Sequence, residues 1–333
     1  LRVWGVIALT FPSSLPAART PESRDAPPLR WGILGTGWIA GRFVDALRRY
    51  TRQEVYAVGS RSLGSARSFV ADSGVGEARA YGSYEELVND PDVDVVYVAT
   101  PHHLHVEHAL LAIAAGRNTF VEKPIGLDDT EVGRMTAAAE RSGVFLREAL
   151  WSAYLPKFDV IRQLLDDEVL GTLHSVQADL GEYFTADHRI MRADLFGGAR
   201  YDLLTYPRWF AQWVLGPAHV VHEVATVAPP ELSPSGVEGQ IAVVQRHASD
   251  TVSSLFASVL GDTPATATVV GSKATLRIDG PFYQPGGFSL RSHDGRELRY
   301  DEPRIAHDGL HYEAADVART LAPSRDERTT IHG

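Results

Sequence analysis

The sequence contains no cysteine. Disulfides, thiol nucleophiles and cysteine-ligated zinc are therefore excluded, and a reducing, cytoplasmic location is expected. No apolar run reaches the roughly 20 residues that a bilayer crossing needs, so no membrane partner is expected. Net positive charge is also missing. The formal net charge of -10 opposes binding through phosphate contacts, so a nucleic-acid partner is not expected. Internal repeats and low-complexity tracts are absent too. What remains is an ordinary globular composition, with 333 residues, 44% hydrophobic and 22% charged. That length suits two domains of roughly 100–200 residues.

Residues 1–28 begin without Met, carry one early basic residue, Arg2, and interrupt their apolar stretch at Pro12 and Pro16. They hold no twin-arginine pair. These features weaken an export-signal reading, and residues 1–28 are expected to form a disordered leader outside the fold.

From Leu29 the chain alternates short apolar strands with amphipathic helices. "LRWGILGTGWIAGRFVDALRR" reads as strand, tight turn and helix, and "VDVVYVATP" as a strand buried on both faces. The alternation predicts an α/β domain over 29–150, a Rossmann-type doubly wound parallel sheet. The rhythm changes near Trp151. Stretches such as "LHSVQADLGEY", "GQIAVVQRHA" and "FSLRSHDGRELRY" predict an α+β domain over 151–333 with a mostly antiparallel, open sheet. One helical segment, "RYDLLTYPRWFAQWVLG", interrupts it, and Pro207 is expected to loosen that helix beside Tyr206.

Gly35-Thr36-Gly37-Trp38-Ile39-Ala40 is G-x-G-x-x-A, placed after the first strand and opening a helix. Gly35 permits the turn, Gly37 lets a pyrophosphate approach the backbone, and Ala40 lets helix and strand pack closely. A tight turn with no ligand would look similar. The second strand ends in "AVGSRS", with Ser60 and Arg61 where an acid would read a ribose hydroxyl. A guanidinium can hold a 2'-phosphate, which favours NADP over NAD, although a surface arginine on a turn is the plain alternative.

"NTFVEKPIGL" delivers Glu122, Lys123 and Pro124 at the end of a buried strand. Ligands of parallel sheets bind at such ends, and a lysine there can orient a substrate hydroxyl. Spacing alone leaves this even with a surface Glu–Lys pair. His102, His103, His105 and His108 do not offer a convincing set of three metal ligands, and no metal is expected.

Together "GTGWIA", "AYGSYEELVNDPDVDVVYVATP", "ATPHHLH" and "VEKP" resemble the Gfo/Idh/MocA oxidoreductases. "FLREALWSAYLP" and "GGARYDLLTYP" resemble the branch of that family holding dimeric dihydrodiol dehydrogenase and NADP-dependent D-xylose dehydrogenase. The resemblance runs from about Leu29 to Leu321. It implies hydride transfer between nicotinamide and a carbinol or carbonyl carbon of a sugar, inositol or cyclic trans-diol, in a homodimer. It implies that Lys123 and Tyr206 share proton transfer and that Asp202, four residues before Tyr206, shares its helical face. It places Thr100, Pro101, His102, His105, Glu122, Lys123 and Glu148 with the cofactor residues, and Trp151, Asp202 and Tyr206 on the substrate. From the residues alone, Tyr206 reads as a core aromatic and Trp151 as packing at a domain joint. The chain departs from the family pattern in three places. Leu204 replaces a glycine, Ala153 replaces an arginine, and the polar "APSRDERTTIHG" follows "GLHYEAADVARTL" where the family has a closing helix. The last departure is expected to expose core surface, with a catalytically weak cofactor- or sugar-binding protein as the alternative function.

Overall fold

A computed structural model describes residues 11–322. They form two compact units, one from residues 21–154 with those from 305 onward, the other from 155–304 with those up to Thr20.

In the first unit β1 (Arg30–Leu34), α1 (Trp38–Tyr50), β2 (Glu54–Gly59), α2 (Leu63–Asp72), β3 (Arg79–Tyr81), α3 (Tyr84–Val88), β4 (Val95–Val98), α4 (His105–Ala114), β5 (Asn118–Glu122), α5 (Asp129–Ser142) and β6 (Leu146–Ala149) alternate as expected. The six strands pair in the order β3-β2-β1-β4-β5-β6, and every pairing is parallel. Register then sorts the side chains by face, because neighbours along a strand point opposite ways. Ile33, Tyr97, Phe120 and Arg147 form one row across β1, β4, β5 and β6. On that face Phe43 of α1 stacks on Tyr97 at 4.0 Å and meets Trp31 edge-on at 5.2 Å. The adjoining row, Leu34, Val98, Val121 and Glu148, lies on the opposite face. There Leu34, Val98 and Val121 pack with Val106, Ala109 and Met135 of α4 and α5.

The second unit begins with α6 (Pro156–Asp166), whose Pro156 needs no N–H in the first turn. It continues through β7 (Leu173–Gly181), a π-helical turn (Ala199–Leu203), α7 (Thr205–Leu215), β8 (Ala218–Val227), β9 (Glu238–His247), β10 (Val252–Ser258), β11 (Ala267–Gly271), β12 (Ala274–Ile278), β13 (Phe288–Ser292) and β14 (Glu297–Tyr300). The sheet order is β14-β13-β12-β11-β7-β10-β9-β8. Its pairings are antiparallel except β7 with β10.

Two expectations are corrected here. The second domain does not run to the end of the chain. Helix α8 (Leu310–Leu321) belongs to the first unit, where it packs on α1 and on the short turn Trp151–Tyr154. Residues 11–28, placed outside the fold as part of a disordered leader, have fixed partners. Ala26 is buried with Ala315 and Ala318 of α8, Gln53 donates to the Pro27 carbonyl at 2.8 Å, and Arg19 pairs with Asp159 at 2.8 Å. Residues 1–10, and the polar tail expected to uncover core surface, lie outside the described residues from 323 onward. Among the described residues no helix is long and apolar enough to cross a membrane.

Candidate active site

Because all six strands of the first sheet run parallel, their carboxyl ends share one edge. That edge collects Gly35 after β1, Ser60 and Arg61 after β2, Thr100 to His102 after β4, Glu122 and Lys123 at the end of β5, and Glu148 near the end of β6. The strand order reverses between β1 and β4, the switch point where open α/β sheets hold ligands.

The turn after β1 is built for close approach. Gly35 has φ +105, and a Cβ there would lie 2.6 Å from the Ala99 carbonyl oxygen. A side chain would collide with the end of β4, so only glycine fits. Gly37 is the N-cap of α1, and a Cβ on it would meet nothing within 4 Å. The helix has no acidic residue in its first turn and no side-chain cap. Its free N–H groups and dipole therefore suit a dinucleotide's pyrophosphate. Thr36 lies inside the turn, and Trp38 and Ile39 open the helix, with Trp38 70% exposed. Ser60 is buried and Arg61 exposed. The Arg61 charge reaches Tyr84 and His108.

His105 is fully buried. Its Nδ1 lies 2.7 Å from the Pro124 carbonyl oxygen and its Nε2 2.8 Å from the Thr100 carbonyl oxygen. Two acceptors would suit an imidazolium. Burial, reinforced by the charge of Lys123, instead pushes the ring down to about 4, so it is neutral and donates one N–H. Either way it links the ends of β4 and β5, where the Lys123–Pro124 peptide is cis. His102 is also buried, in a 3-10 turn capped by Pro101. Among the described residues no group of three or more His, Cys, Asp or Glu could hold a metal ion.

Glu122 is 4% exposed, which removes the surface-pair reading of Glu122–Lys123. It accepts from the Tyr97 hydroxyl and, at 3.1 Å, from the Lys123 backbone N–H. Burial pushes its carboxyl up to about 7 against those two bonds and the Lys123 charge. Burial also raises Glu148, which accepts from the Ile125 N–H at 2.9 Å and feels the Lys123 charge. The charge of the half-buried Lys123 thus acts on two carboxyl groups that burial makes reluctant to ionise. Sequence reasoning missed Tyr97. Its signal was a hydroxyl inside "VVYV", a strand buried throughout, where a tyrosine needs an acceptor.

In the second unit, Asp202 is 2% exposed and accepts from Arg189 at 2.8 Å. Arg189 was not singled out in the sequence. Tyr206 is 3% exposed, with its ring 4.4 Å from that of Tyr283. The expected single helix is two pieces. Asp202 lies in the π-helical turn, where the Leu204 N–H bonds the Ala199 carbonyl at 2.8 Å, and Tyr206 lies in α7. The change of period removes the simple one-face argument for Asp202 and Tyr206. Pro207 does not loosen a helix interior, because it stands in the first turn of α7, where no N–H is needed. Leu204 is buried. Trp151, in the first unit, is buried in the turn that follows β6.

The family model described as "Oxidoreductase family, NAD-binding Rossmann fold" matches residues 29–150, and the GFO/IDH/MocA C-terminal domain model matches residues 158–277. The chain is 32% identical over 314 residues to trans-1,2-dihydrobenzene-1,2-diol dehydrogenase of Sus scrofa, covering 91% of each protein. The corresponding Danio rerio protein is also 32% identical, over 312 residues and 91% of each. Among solved structures, an NAD binding oxidoreductase from Klebsiella pneumoniae superposes with TM-score 0.78 at 24% identity, over 90% of this chain and 91% of that one. A levoglucosan dehydrogenase in complex with NADH gives TM-score 0.78 at 18% identity, over 89% and 90%. With an NAD(P)-binding turn at the switch point of a parallel sheet and family models matched in both halves, the chain belongs to the Gfo/Idh/MocA family of oxidoreductases.

Proposed function

We propose that this oxidoreductase is an NADP-dependent dehydrogenase or reductase, acting on a CH–OH or carbonyl carbon of a sugar, inositol or cyclic trans-diol. The observation that carries the reading is the half-buried Lys123, whose charge acts on the buried Glu122 and Glu148, on the strand edge that also holds the Gly35-Gly37 turn. The similarity to diol dehydrogenases supports the substrate class. The solved 3-ketoreductase from Actinomadura kijaniata, bound to NADP, includes variants at a lysine and at a tyrosine, the two residue types used here.

In this reading Gly35, Thr36, Gly37, Trp38 and Ile39 hold the pyrophosphate, and Thr100, Pro101, His102 and His105 wall the nicotinamide side. The cofactor supplies or accepts the hydride when bound. Lys123 orients the substrate hydroxyl. Tyr206 exchanges a proton with the substrate oxygen. Asp202, fixed by Arg189, and Trp151 orient the substrate.

Ser60 and Arg61, with no acid at that strand end, favour NADP. Fluorescence titration should show tight NADPH binding that weakens about 30-fold in Arg61→Ala, the effect of losing one charge-assisted contact. NADH binding should stay unchanged. Equal loss for both cofactors would remove Arg61 from 2'-phosphate recognition.

A homodimer through the second sheet is part of the same reading. Val224 of β8 and Val244 of β9 are exposed on one face of the sheet, more than a lone surface residue would explain. Val224→Glu is expected to convert a dimer to monomer in light scattering after size exclusion, with the secondary structure retained. A variant that stays dimeric would place the contact elsewhere. A cytoplasmic location completes the proposal, in keeping with the cysteine-free chain.

A further inference from the structure

Helix α8 carries an anomaly. Its buried positions, Leu310, Ala314, Val317 and Ala318, recur at helical spacing, and Glu313 stands among them. Glu313 is 0% exposed, and neither carboxyl oxygen has a hydrogen-bond partner among the described residues. An ionised carboxylate in that position would be very costly.

The sheet face beneath α8 explains what Glu313 meets. Tyr97, Phe120 and Arg147 share a row, and Glu122 points to the same face, two residues beyond Phe120. Arg147 ties the row to α8 through Asp316. The charges of Glu122 and Glu313 act on each other, and Glu313 also acts on Tyr154 of the turn after β6, itself bonded to Arg147. On α1, Arg42 pairs with Asp308, and Asp45 with both His307 and Arg49. His311, two residues before Glu313 on α8, is kept neutral by burial.

We propose that Glu313 is a positioning residue of the Lys123 site, a buried neutral acid whose proton leaves Glu122 as the ionised member of that pair, facing the charge of the lysine. Two buried carboxyl groups that interact do not both ionise readily. The single charge goes to Glu122, which has two donors, from Tyr97 and the Lys123 backbone, whereas Glu313 has none among the described residues. Loss of the Glu313 proton in alkali would set a second charge beside Glu122 and disturb the ammonium above it. The effect on turnover rests on the reading of Lys123 given above, but the protonation of Glu313 does not.

The test begins with infrared spectroscopy of the full chain without substrate, at about pH 8, where Glu122 is mostly ionised. A carbonyl stretch of a buried carboxylic acid is expected in the wild type and should vanish in Glu313→Gln. Its absence from the wild type, or its survival in that variant, overturns the proposal. If Glu313→Gln does not fold, Glu122→Gln, Glu148→Gln, Glu182→Gln and Glu302→Gln decide, since burial raises all four of these carboxyls too. A band that persists in every one belongs to Glu313, and a band lost in any one does not. The second arm is the pH profile of kcat/KM, whose alkaline limb should move up by a unit or more in Glu313→Gln. A limb that stays in place removes the positioning role. If no cofactor or substrate gives turnover, the dehydrogenase reading fails, while the infrared arm still decides whether Glu313 holds its proton.

Discussion

Replacing Lys123 by Ala should lower kcat roughly 10³-fold, the size expected for loss of a group acting in proton transfer, while NADPH affinity changes by no more than a few-fold. Arginine should not restore activity. The sequence holds three lysines, Lys123, Lys157 and Lys273, among 32 basic residues, so arginine is its usual cation. A site that needed only positive charge could use arginine as the rest of the chain does. An amine differs in being compact and able to release a proton when its surroundings require it. The environment of Lys123 is suited to tuning, because Glu122 and Glu148 are both raised by burial and His105 is held neutral beside it. Steady-state kinetics with NADP and a panel of polyols and cyclic diols would check this. A kcat within tenfold of wild type in Lys123→Ala, or full activity in Lys123→Arg, would reject the assignment.

The second large effect is on stability against pH. The folded protein keeps protons on Glu122, Glu148 and Glu313 that the unfolded chain releases above about 4.5. A carboxyl raised in this way stabilises the fold fully at low pH, and that contribution is lost as pH rises through its folded value. His105 and His311 work in the opposite sense. Both are pushed down to about 4 by burial from an ordinary 6.5, so they add stability as pH rises between those values. The two effects oppose each other up to about pH 6.5. Beyond it the histidines have finished, while Glu122, raised to about 7, and Glu313, raised well above its ordinary value, continue. Lys157, lowered to about 8 by burial, begins to oppose them only above that pH. Stability should therefore fall between about pH 6.5 and pH 8, at up to about 1.4 kcal/mol per pH unit for each carboxyl still protonated. Urea denaturation midpoints across that window would show the decline, and a flat or rising limb would contradict it.

How much of this was readable beforehand depended on the range of the interaction. Gly35, Gly37 and Lys123 sit in motifs a few residues long, and strand–turn–helix order gave them a location. The parallel sheet followed from strand–helix alternation, and the mostly antiparallel second sheet from the strand-rich stretches where that rhythm stops. The partners of Glu122 were not readable, because Tyr97 lies 25 residues away and meets it only through the β4–β5 register. Pro207 marks a helix start as well as a break, and the sequence does not say which. Only the π-helical turn before α7 resolves it. The periodicity of "GLHYEAADVARTL" shows a helix with one buried face. Nothing local tells that the face belongs to the first unit, nor that a glutamate in it is buried without a counter-charge.

Helix α8 also affects how the chain can be made. Its contacts with α1 join segments some 270 residues apart in sequence. During synthesis at roughly 5–20 residues per second, α1 and the sheet beneath it are complete long before α8 has been made. The α8-facing surface of α1 and the face carrying Glu122 must wait for a helix encoded after the whole second unit. A ribosome stalled within the second unit, before Leu310, would hold a nucleotide-binding unit with every strand in place and that surface uncovered. For this protein, translation speed across the second unit sets how long the unfinished first unit stays vulnerable.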